Sequence, residues 1–404
     1  MTKVQSRSKV IGLCVAAYTV SYLCRTNLSV AMDDLLAAFQ ISRGQAGIMS
    51  TLYFWTYTGG QLLAAWLCSR MNPVHILALG LCLTGGCNLA FGFAGSYPEL
   101  LFLWALNGLA LALFWPPVLQ ISTNWSRPEH YTALSILLNL PTTVGFLLSW
   151  AGLGALHTVM QWEWMFWIPA AFAFLFLIVW LGKMQPSPEG TAVEKAVTPA
   201  AQNKGKSKGS LLTGFLAGGM LGYAIIVVIQ GCTKESINLW APTLIQDIAG
   251  SKNSFWVSSF TALIPLVSTI GLLLTGWLVT VVKQGQERAM LILLCIGMIS
   301  GWLLLAVHSL FGIILCLSIL LAVVYGVNTI LTTILPLRLA RSGHSGTLSG
   351  IFNFLSYLGA ALGGLVSGSI SDVWGWSAVY TLWAVLATAG VAAMLLGGLL
   401  REKL

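Results

Sequence analysis

Long, nearly uninterrupted apolar runs are the feature that most constrains this chain. About twelve of them follow one another, and about 20 apolar residues suffice to cross a lipid bilayer as a helix. Only 8% of the 404 residues are charged, whereas soluble domains carry about 25%. Because the runs are continuous rather than alternating, helices are favoured over the strands of a membrane barrel. The sequence therefore predicts an all-α membrane protein with twelve transmembrane helices.

Turn residues and charges set the approximate bounds of the twelve predicted spans. These are 9–32, 43–69, 74–95, 98–124, 130–154, 163–183, 213–239, 252–282, 288–308, 310–335, 345–371 and 376–400. The segment between the sixth and seventh spans is rich in Pro, Ser, Gly and Lys, which is typical of a flexible linker. The predicted organisation is a six-helix half at 1–183, a cytoplasmic linker at 184–210 and a second six-helix half at 211–404.

The basic residues of the loops predict the orientation of the chain. With the N-terminus inside, Arg43 and Lys252 are the two loop cations on the outer side, and the other loop cations lie inside. Since cytoplasmic loops are enriched in Lys and Arg, both termini are predicted to be cytoplasmic in the cell membrane, the inner membrane of a bacterium. The net charge of +8 is explained by this topology, and no nucleic-acid partner is predicted. The lipid bilayer is the expected surrounding.

Two segments far apart in the chain resemble each other without a gap. Arg127–Asn139 and Arg341–Asn353 share Arg, His, Leu, Ser and Asn in step, and the register continues to Gly145 and Gly359. Parallel repeats of this kind are typical of transporters built from two halves that a pseudo-twofold axis relates. The repeat therefore predicts two equivalent six-helix halves.

Two cations lie inside predicted spans at matching places. Arg25 precedes Arg43 by the same interval at which Lys234 precedes Lys252. A cation at a helix centre costs about 2.5–3.5 kcal/mol on insertion scales, so such residues usually face a polar cavity. An arginine side chain donates two parallel hydrogen bonds to a phosphate or carboxylate, whereas a lysine ammonium acts as a point charge. The pair is predicted to hold a small anion between the halves, and pairing of Lys234 with Glu235 stays open.

Further candidates for substrate contact share a helix face, a repeat position or an aromatic ring with these cations. Tyr22 shares a face with Arg25, and Gln230 shares one with Lys234. Asn139 and Asn353 are related by the repeat, with interhelical hydrogen bonding as the alternative. Aromatic rings that can line a sugar or glycerol moiety, with helix packing as the alternative, are Tyr57, Trp115 and Tyr357.

The chain lacks the sequence patterns of other functional classes. The motifs HExxH and Walker A are absent, the single GxSxG match at 205–209 falls in the polar linker rather than between a strand and a helix, and the eight cysteines follow neither a metal nor a disulfide spacing. No enzyme, metal or cofactor is therefore predicted. Apart from Glu99 at its outer end, the fourth span holds no Asp, Glu or His, which argues against a proton relay and for exchange of one anion for another. Glu235 keeps proton coupling open.

Several short segments resemble one known transporter family. Tyr22-Leu-Cys-Arg25-Thr-Asn, Trp115-Pro-Pro, and Lys234 six residues before Trp240 are similar to the organophosphate:phosphate antiporters of the major facilitator superfamily. The resemblance implies the major facilitator fold and a rocker-switch exchanger of a phosphate ester for phosphate, and we expect the carrier to be a monomer. The resemblance also implies that Arg25 and Lys234 hold the phosphoryl group.

The chain departs from that family at pocket positions. Thr26, Gln61 and Thr142 stand where some members carry Lys, Lys and His, so the pocket is expected to be less positive, with Gln61 as a candidate contact. Arg25-Thr-Asn-Leu-Ser-Val-Ala also resembles the anion:cation symporters, which carry sugar acids. A symporter of a carboxylate and a transporter-like sensor are therefore the alternatives.

Overall fold

The computed structural model describes most of the chain as helix. The described residues are 6–127, 130–184, 220–250, 255–282, 285–335 and 345–401. No strand occurs within these ranges, so the predicted all-α class is confirmed. The predicted linker 184–210 lies outside the described residues except for Met184.

The chain divides into two compact units by the density of its internal contacts. The first comprises Met1–Val193 with Ala241–Ala262, and the second comprises Glu194–Trp240 with Leu263–Leu404. The predicted boundaries of the two halves stay a prediction.

Polar caps and prolines mark several helix starts in the first unit. Its helices up to residue 184 are α1 (Arg7–Val30), α2 (Met32–Phe39), α3 (Arg43–Cys68), α4 (Pro73–Phe91), α5 (Tyr97–Ala112), α6 (Trp115–Asn124), α7 (Tyr131–Leu147) and α8 (Trp164–Lys183). Ser42 and Gln45 form a reciprocal capping box at the start of α3, and Asn72 caps α4 ahead of Pro73. α7 continues as a π-helix at Leu148–Leu153.

The remaining helices follow residue 220. They are α9 (Met220–Ala249), α10 (Phe255–Thr261), α11 (Leu263–Val281), α12 (Gln286–Ala306), α13 (Leu310–Thr329) and α14 (Ser345–Arg401). α14 is broken at Gly375, whose φ of 71° and ψ of −176° are not helical, and this is the point where two predicted spans meet. α10 and the end of α9 belong to the first unit, where Asp247 pairs with Arg43 at 2.5 Å.

Each unit packs its helices around its own apolar core. In the first unit α1 packs on α7 and α8, α3 on α5, and α4 on α8. In the second unit α11 packs on α13, and α12 packs on α13 and α14. Fully buried aromatic side chains of the first core include Phe91, Phe166 and Trp180, and the second core contains Val227, Leu331 and Phe352.

Nine helices within the described residues are long and apolar enough to cross a membrane. The segment Ser349–Gly397 is 49 residues long and contains the break at Gly375, so it covers two predicted crossings. α1 and α3, at 24 and 26 residues, coincide with the first two predicted spans. The total of twelve crossings stays a prediction.

Candidate functional site

Arg25 is surrounded by aromatic rings of its own unit. Its guanidinium carbon lies 5.7 Å from the ring centre of Tyr22, 5.5 Å from Tyr53, 5.2 Å from Phe54 and 6.0 Å from Tyr57. A cation within about 6 Å of a ring face gains about 0.5–2 kcal/mol or more from the ring quadrupole. α1 carries the cation, and three of the four rings come from α3. We call these four rings the aromatic cage of Arg25.

One further predicted residue, Trp115, connects to the cage through Tyr18. The Trp115 ring lies 5.4 Å from that of Tyr18, which lies 5.2 Å from Tyr22. Tyr57 stacks on Tyr53 with 5.8 Å between ring centres. The structure therefore brings the predicted residues Tyr22, Tyr57 and Trp115 together around Arg25.

A buried network of polar side chains holds α1 one residue before Arg25. The carbonyl oxygen of Cys24 accepts hydrogen bonds from Asn107 Nδ2 at 3.0 Å and from Asn88 Nδ2 at 3.3 Å. Asn27 Nδ2 donates to Asn88 Oδ1 at 2.8 Å, and Thr84 Oγ1 donates to Asn107 Oδ1 at 2.6 Å. Since all four side chains are at most 1% exposed, the network ties α1 to α4 and α5 at the level of the cation.

Lys234 is the matching cation of the second unit, on α9. Its ammonium nitrogen lies 3.5 Å from Glu235 Oε1, and the two side chains are 12% and 9% exposed. Neighbouring residues of a helix point about 100° apart, so the long lysine stem bends to bring the charges together. The pairing that the sequence left open is therefore present.

Amide and hydroxyl groups flank Lys234 on the same face of α9. Gln230 Nε2 donates to Asn328 Oδ1 at 3.0 Å and to Ser356 Oγ at 2.7 Å. Asn238 Nδ2 donates to the Tyr325 hydroxyl at 3.4 Å. Because these partners lie on α13 and α14, the polar face of α9 points into the interior of the second unit.

Related glycines bring a neighbouring helix close to each cation-bearing helix. A Cβ added at Gly145 of α7 would lie 2.2 Å from Tyr22 Cβ, three residues before Arg25. A Cβ at Gly359 of α14 would lie 2.1 Å from the Val228 carbonyl oxygen, six residues before Lys234. The repeat that relates Gly145 to Gly359 thus has an equivalent packing role in both units.

The other predicted contacts are less closely tied to the cations. Gln61 lies one helical turn after Tyr57 on α3 and is half-buried, and Asn139 is exposed on α7. Asn353 Nδ2 donates to the Ser349 carbonyl of its own helix at 3.0 Å, and Tyr357 is half-buried beside Ser356. Their roles in binding stay predictions.

Several residues of the site were not predicted as contacts. Tyr53 and Phe54 complete the cage, Asn88 and Asn107 fix α1, and Asn328 binds Gln230. The sequence carried one signal for them: an asparagine within an apolar membrane helix usually needs an interhelical partner.

Comparisons with known proteins agree with this architecture. The family model described as the Major Facilitator Superfamily matches residues 14–364. A solved bacterial homologue of the human lysosomal transporter Spinster, in an inward-facing and occupied conformation, aligns with a TM-score of 0.74 and 16% identity. The alignment covers 99% of this chain and 96% of that one. At this identity the likeness concerns the fold alone.

Three of the similar sequences illustrate the range of names among them. A probable hexose phosphate transport protein of Chlamydia pneumoniae is 24% identical over 414 residues, covering 94% of this chain and 88% of that protein. The membrane sensor protein UhpC of Salmonella typhimurium strain LT2 is 23% identical over 402 residues, covering 94% and 88%. A D-galactonate transporter of Escherichia coli is 23% identical over 411 residues, covering 93% and 92%.

Proposed function

Because the chain belongs to the Major Facilitator Superfamily, we propose that it exchanges a phosphate ester for inorganic phosphate by alternating access. Membership in this family makes the chain a multi-pass membrane transporter rather than an enzyme. The substrate class is supported by the similarity to hexose phosphate transport proteins and by the motifs around Arg25 and Trp240. The carrier acts as a monomer in the bacterial inner membrane, with both termini in the cytoplasm.

The placement of Arg25 is the observation that carries the proposal. Four ring faces lie within 6.0 Å of its guanidinium carbon. Ring faces stabilise a cation through their quadrupole, and a guanidinium group carries five N–H donors in a fixed fork. A phosphoryl group accepts two such donors side by side, which favours Arg over Lys at this position.

Lys234 supplies the second positive charge to the anion. Its present partner is Glu235, so an incoming phosphoryl group competes with that carboxylate for the ammonium. During binding, the Lys234 ammonium either contacts both the Glu235 carboxylate and the phosphoryl group, or it leaves the carboxylate and contacts the phosphoryl group alone. Glu235 therefore lowers the affinity of the second unit for anions in general and favours those of higher charge.

Obligatory exchange follows from the charges of the site. Enclosing charged groups away from water is costly, so an empty carrier resists the transition that a carrier loaded with an anion makes. The empty carrier then waits for a new anion, and transport proceeds as exchange.

Reconstituted vesicles test this mechanism. Uptake of labelled phosphate or glucose 6-phosphate is expected only when the vesicles hold a counter-anion. Arg25→Ala and Lys234→Ala should each abolish it. Arg70→Ala is the matched control, since Arg70 is exposed and its guanidinium carbon lies 4.8 Å from the Trp66 ring, away from the cage. Uptake into empty vesicles driven by a pH gradient would contradict exchange.

Two alternatives have specific support. A sugar-acid carrier fits the resemblance of the segment after Arg25 to the symporters and the similarity to a D-galactonate transporter. A sensor fits the similarity to the sensor protein UhpC. Preferential uptake of galactonate over phosphate esters would favour the first, and ligand binding without uptake would favour the second.

A further inference from the structure

Two buried amide oxygens flank Lys234 without a hydrogen-bond donor in the part of the chain that the structure describes. They are Gln230 Oε1 and Asn238 Oδ1, in residues that are 3% and 7% exposed. A buried polar atom left without a partner costs about 1–3 kcal/mol. Two such atoms on one helix face therefore indicate a place where a ligand supplies the missing donors.

The two oxygens lie on either side of the cation. Gln230, Lys234 and Asn238 follow one another at intervals of four residues, so they share one face of α9. The Cα atoms of successive members of this set are about 6 Å apart along the helix axis.

The hydrogen bonds already made decide what kind of group is missing. Gln230 Nε2 is occupied by Asn328 Oδ1 and Ser356 Oγ, and Asn238 Nδ2 is directed at the Tyr325 hydroxyl. The nitrogens are thus committed to the protein, and the oxygens accept. A ligand that satisfies them donates O–H groups, and its charged end faces the ammonium.

We propose that Gln230 and Asn238 form a hydroxyl-reading subsite beside Lys234, which selects polyhydroxylated phosphate esters over alkyl phosphates. The proposal rests on the function proposed above and extends it to the substrate class. The phosphoryl group pairs with the ammonium, and hydroxyl groups of the ester donate to the amide oxygens. An alkyl phosphate of the same charge leaves both oxygens buried and without a donor.

Binding titrations on the purified full-length protein in detergent test the subsite. The probes are inorganic phosphate, glucose 6-phosphate and hexyl phosphate. The wild type is expected to bind the sugar ester at least tenfold more tightly than the alkyl ester, since a site built to accept hydroxyls rejects an analogue that lacks them. In each of the variants Gln230→Met and Asn238→Leu, the ratio of the affinity for the sugar ester to that for the alkyl ester should fall about tenfold. The affinity for inorganic phosphate should stay within about threefold of the wild-type value.

Two further variants keep the result interpretable. Like the two amide variants, Ser236→Ala removes a buried polar group from α9. The partners of Ser236 are Ser367 and Trp383, so the preference for the sugar ester should stay unchanged. Asn238→Asp keeps an acceptor oxygen at the same place. This variant should therefore keep the preference for the sugar ester over the alkyl ester, even if the added charge weakens the binding of both esters.

The outcomes separate this proposal from the transport function. An equal loss for all three probes, or an unchanged preference in Gln230→Met and Asn238→Leu, would overturn the subsite and leave the exchanger standing. A wild-type protein that binds neither phosphate nor esters would overturn the proposed function and the subsite with it. Melting temperatures close to that of the wild type establish that the variants are folded.

Discussion

Lys234 Nζ lies 3.5 Å from Glu235 Oε1, although the two residues are adjacent on a helix. The Glu235 carboxylate thus pairs with the ammonium to which the family resemblance assigns the phosphoryl group of the substrate. Both side chains are about nine-tenths buried, so water screens this pair less than it screens a surface pair. Glu235 is therefore the group whose removal should most directly change the affinity of the second unit for anions.

Glu235→Gln is expected to tighten anion binding. The amide keeps the shape of the side chain but no longer competes for the ammonium, and a charged hydrogen bond is worth about 1.5–3 kcal/mol, which corresponds to roughly tenfold or more in affinity. Titration of phosphate and glucose 6-phosphate against the purified variant measures the effect. Glu235→Asp is the matched control that keeps the charge. An unchanged or weaker affinity in Glu235→Gln would show that the carboxylate does not compete.

Asn107→Leu should weaken substrate binding without removing any predicted contact to the substrate. Asn107 Nδ2 donates to the Cys24 carbonyl, directly before Arg25, so the variant leaves α1 free to shift relative to α5. We expect about a tenfold loss of affinity, because loss of a buried polar partner costs about 1–3 kcal/mol.

A matched control for this network lies at the interface of α5 with α3. Thr56 Oγ1 donates to the Ala105 carbonyl at 2.6 Å, and it binds neither Cys24 nor the asparagines. Thr56→Val should therefore lower the melting temperature more than it lowers affinity, whereas Asn107→Leu should lower both. The same ratio of the two losses in both variants would contradict a positioning role for Asn107.

The long helices and the two cations could be predicted because each depends on local chemistry. Apolar runs report bilayer crossings directly, and the helix break at Gly375 falls between two predicted spans. A charge within an apolar run carries an insertion cost wherever it stands, so Arg25 and Lys234 stand out without a structure. The repeat likewise located Gly145 and Gly359 before their packing was known.

The surroundings of the cations depend on packing between helices and could not be read from spacing. Tyr53 and Phe54 belong to α3, and nothing in the sequence shows that they face α1. The contacts of Asn88 and Asn107 with Cys24 join helices that lie more than 60 residues apart. The Lys234–Glu235 pair depends on the bending of a flexible stem, which helical periodicity does not describe.

His157 and Asp34 form a second polar contact that the sequence did not indicate. His157 Nε2 lies 2.5 Å from Asp34 Oδ2, and the histidine side chain is 2% exposed. Asp34→Ala leaves a buried imidazole without this partner, so we expect a loss of about 1–3 kcal/mol in stability. Melting curves of Asp34→Ala, His157→Leu and the double variant measure the coupling. Additive losses in the double variant would show that the contact contributes nothing.

The paired glycines allow a symmetric test of how the cations are positioned. A Cβ at Gly145 would lie 2.2 Å from Tyr22 Cβ, and one at Gly359 would lie 2.1 Å from the Val228 carbonyl oxygen and 3.0 Å from Cys232 N. Contacts this short force the helices apart. Gly145→Ala is therefore expected to displace α1 with Arg25, and Gly359→Ala to displace α9 with Lys234.

Both variants should lose most counter-anion-dependent uptake and melt at a lower temperature. The chain supplies a control on each helix: a Cβ at Gly152, which follows Gly145 in the π-helical continuation of α7, or at Gly350 of α14 would meet no atom within 4 Å. Alanine favours a helix over glycine by about 1 kcal/mol, so Gly152→Ala and Gly350→Ala should keep full uptake and melt at the same or a higher temperature. If all four variants behaved alike, close helix approach would not be what places the two cations.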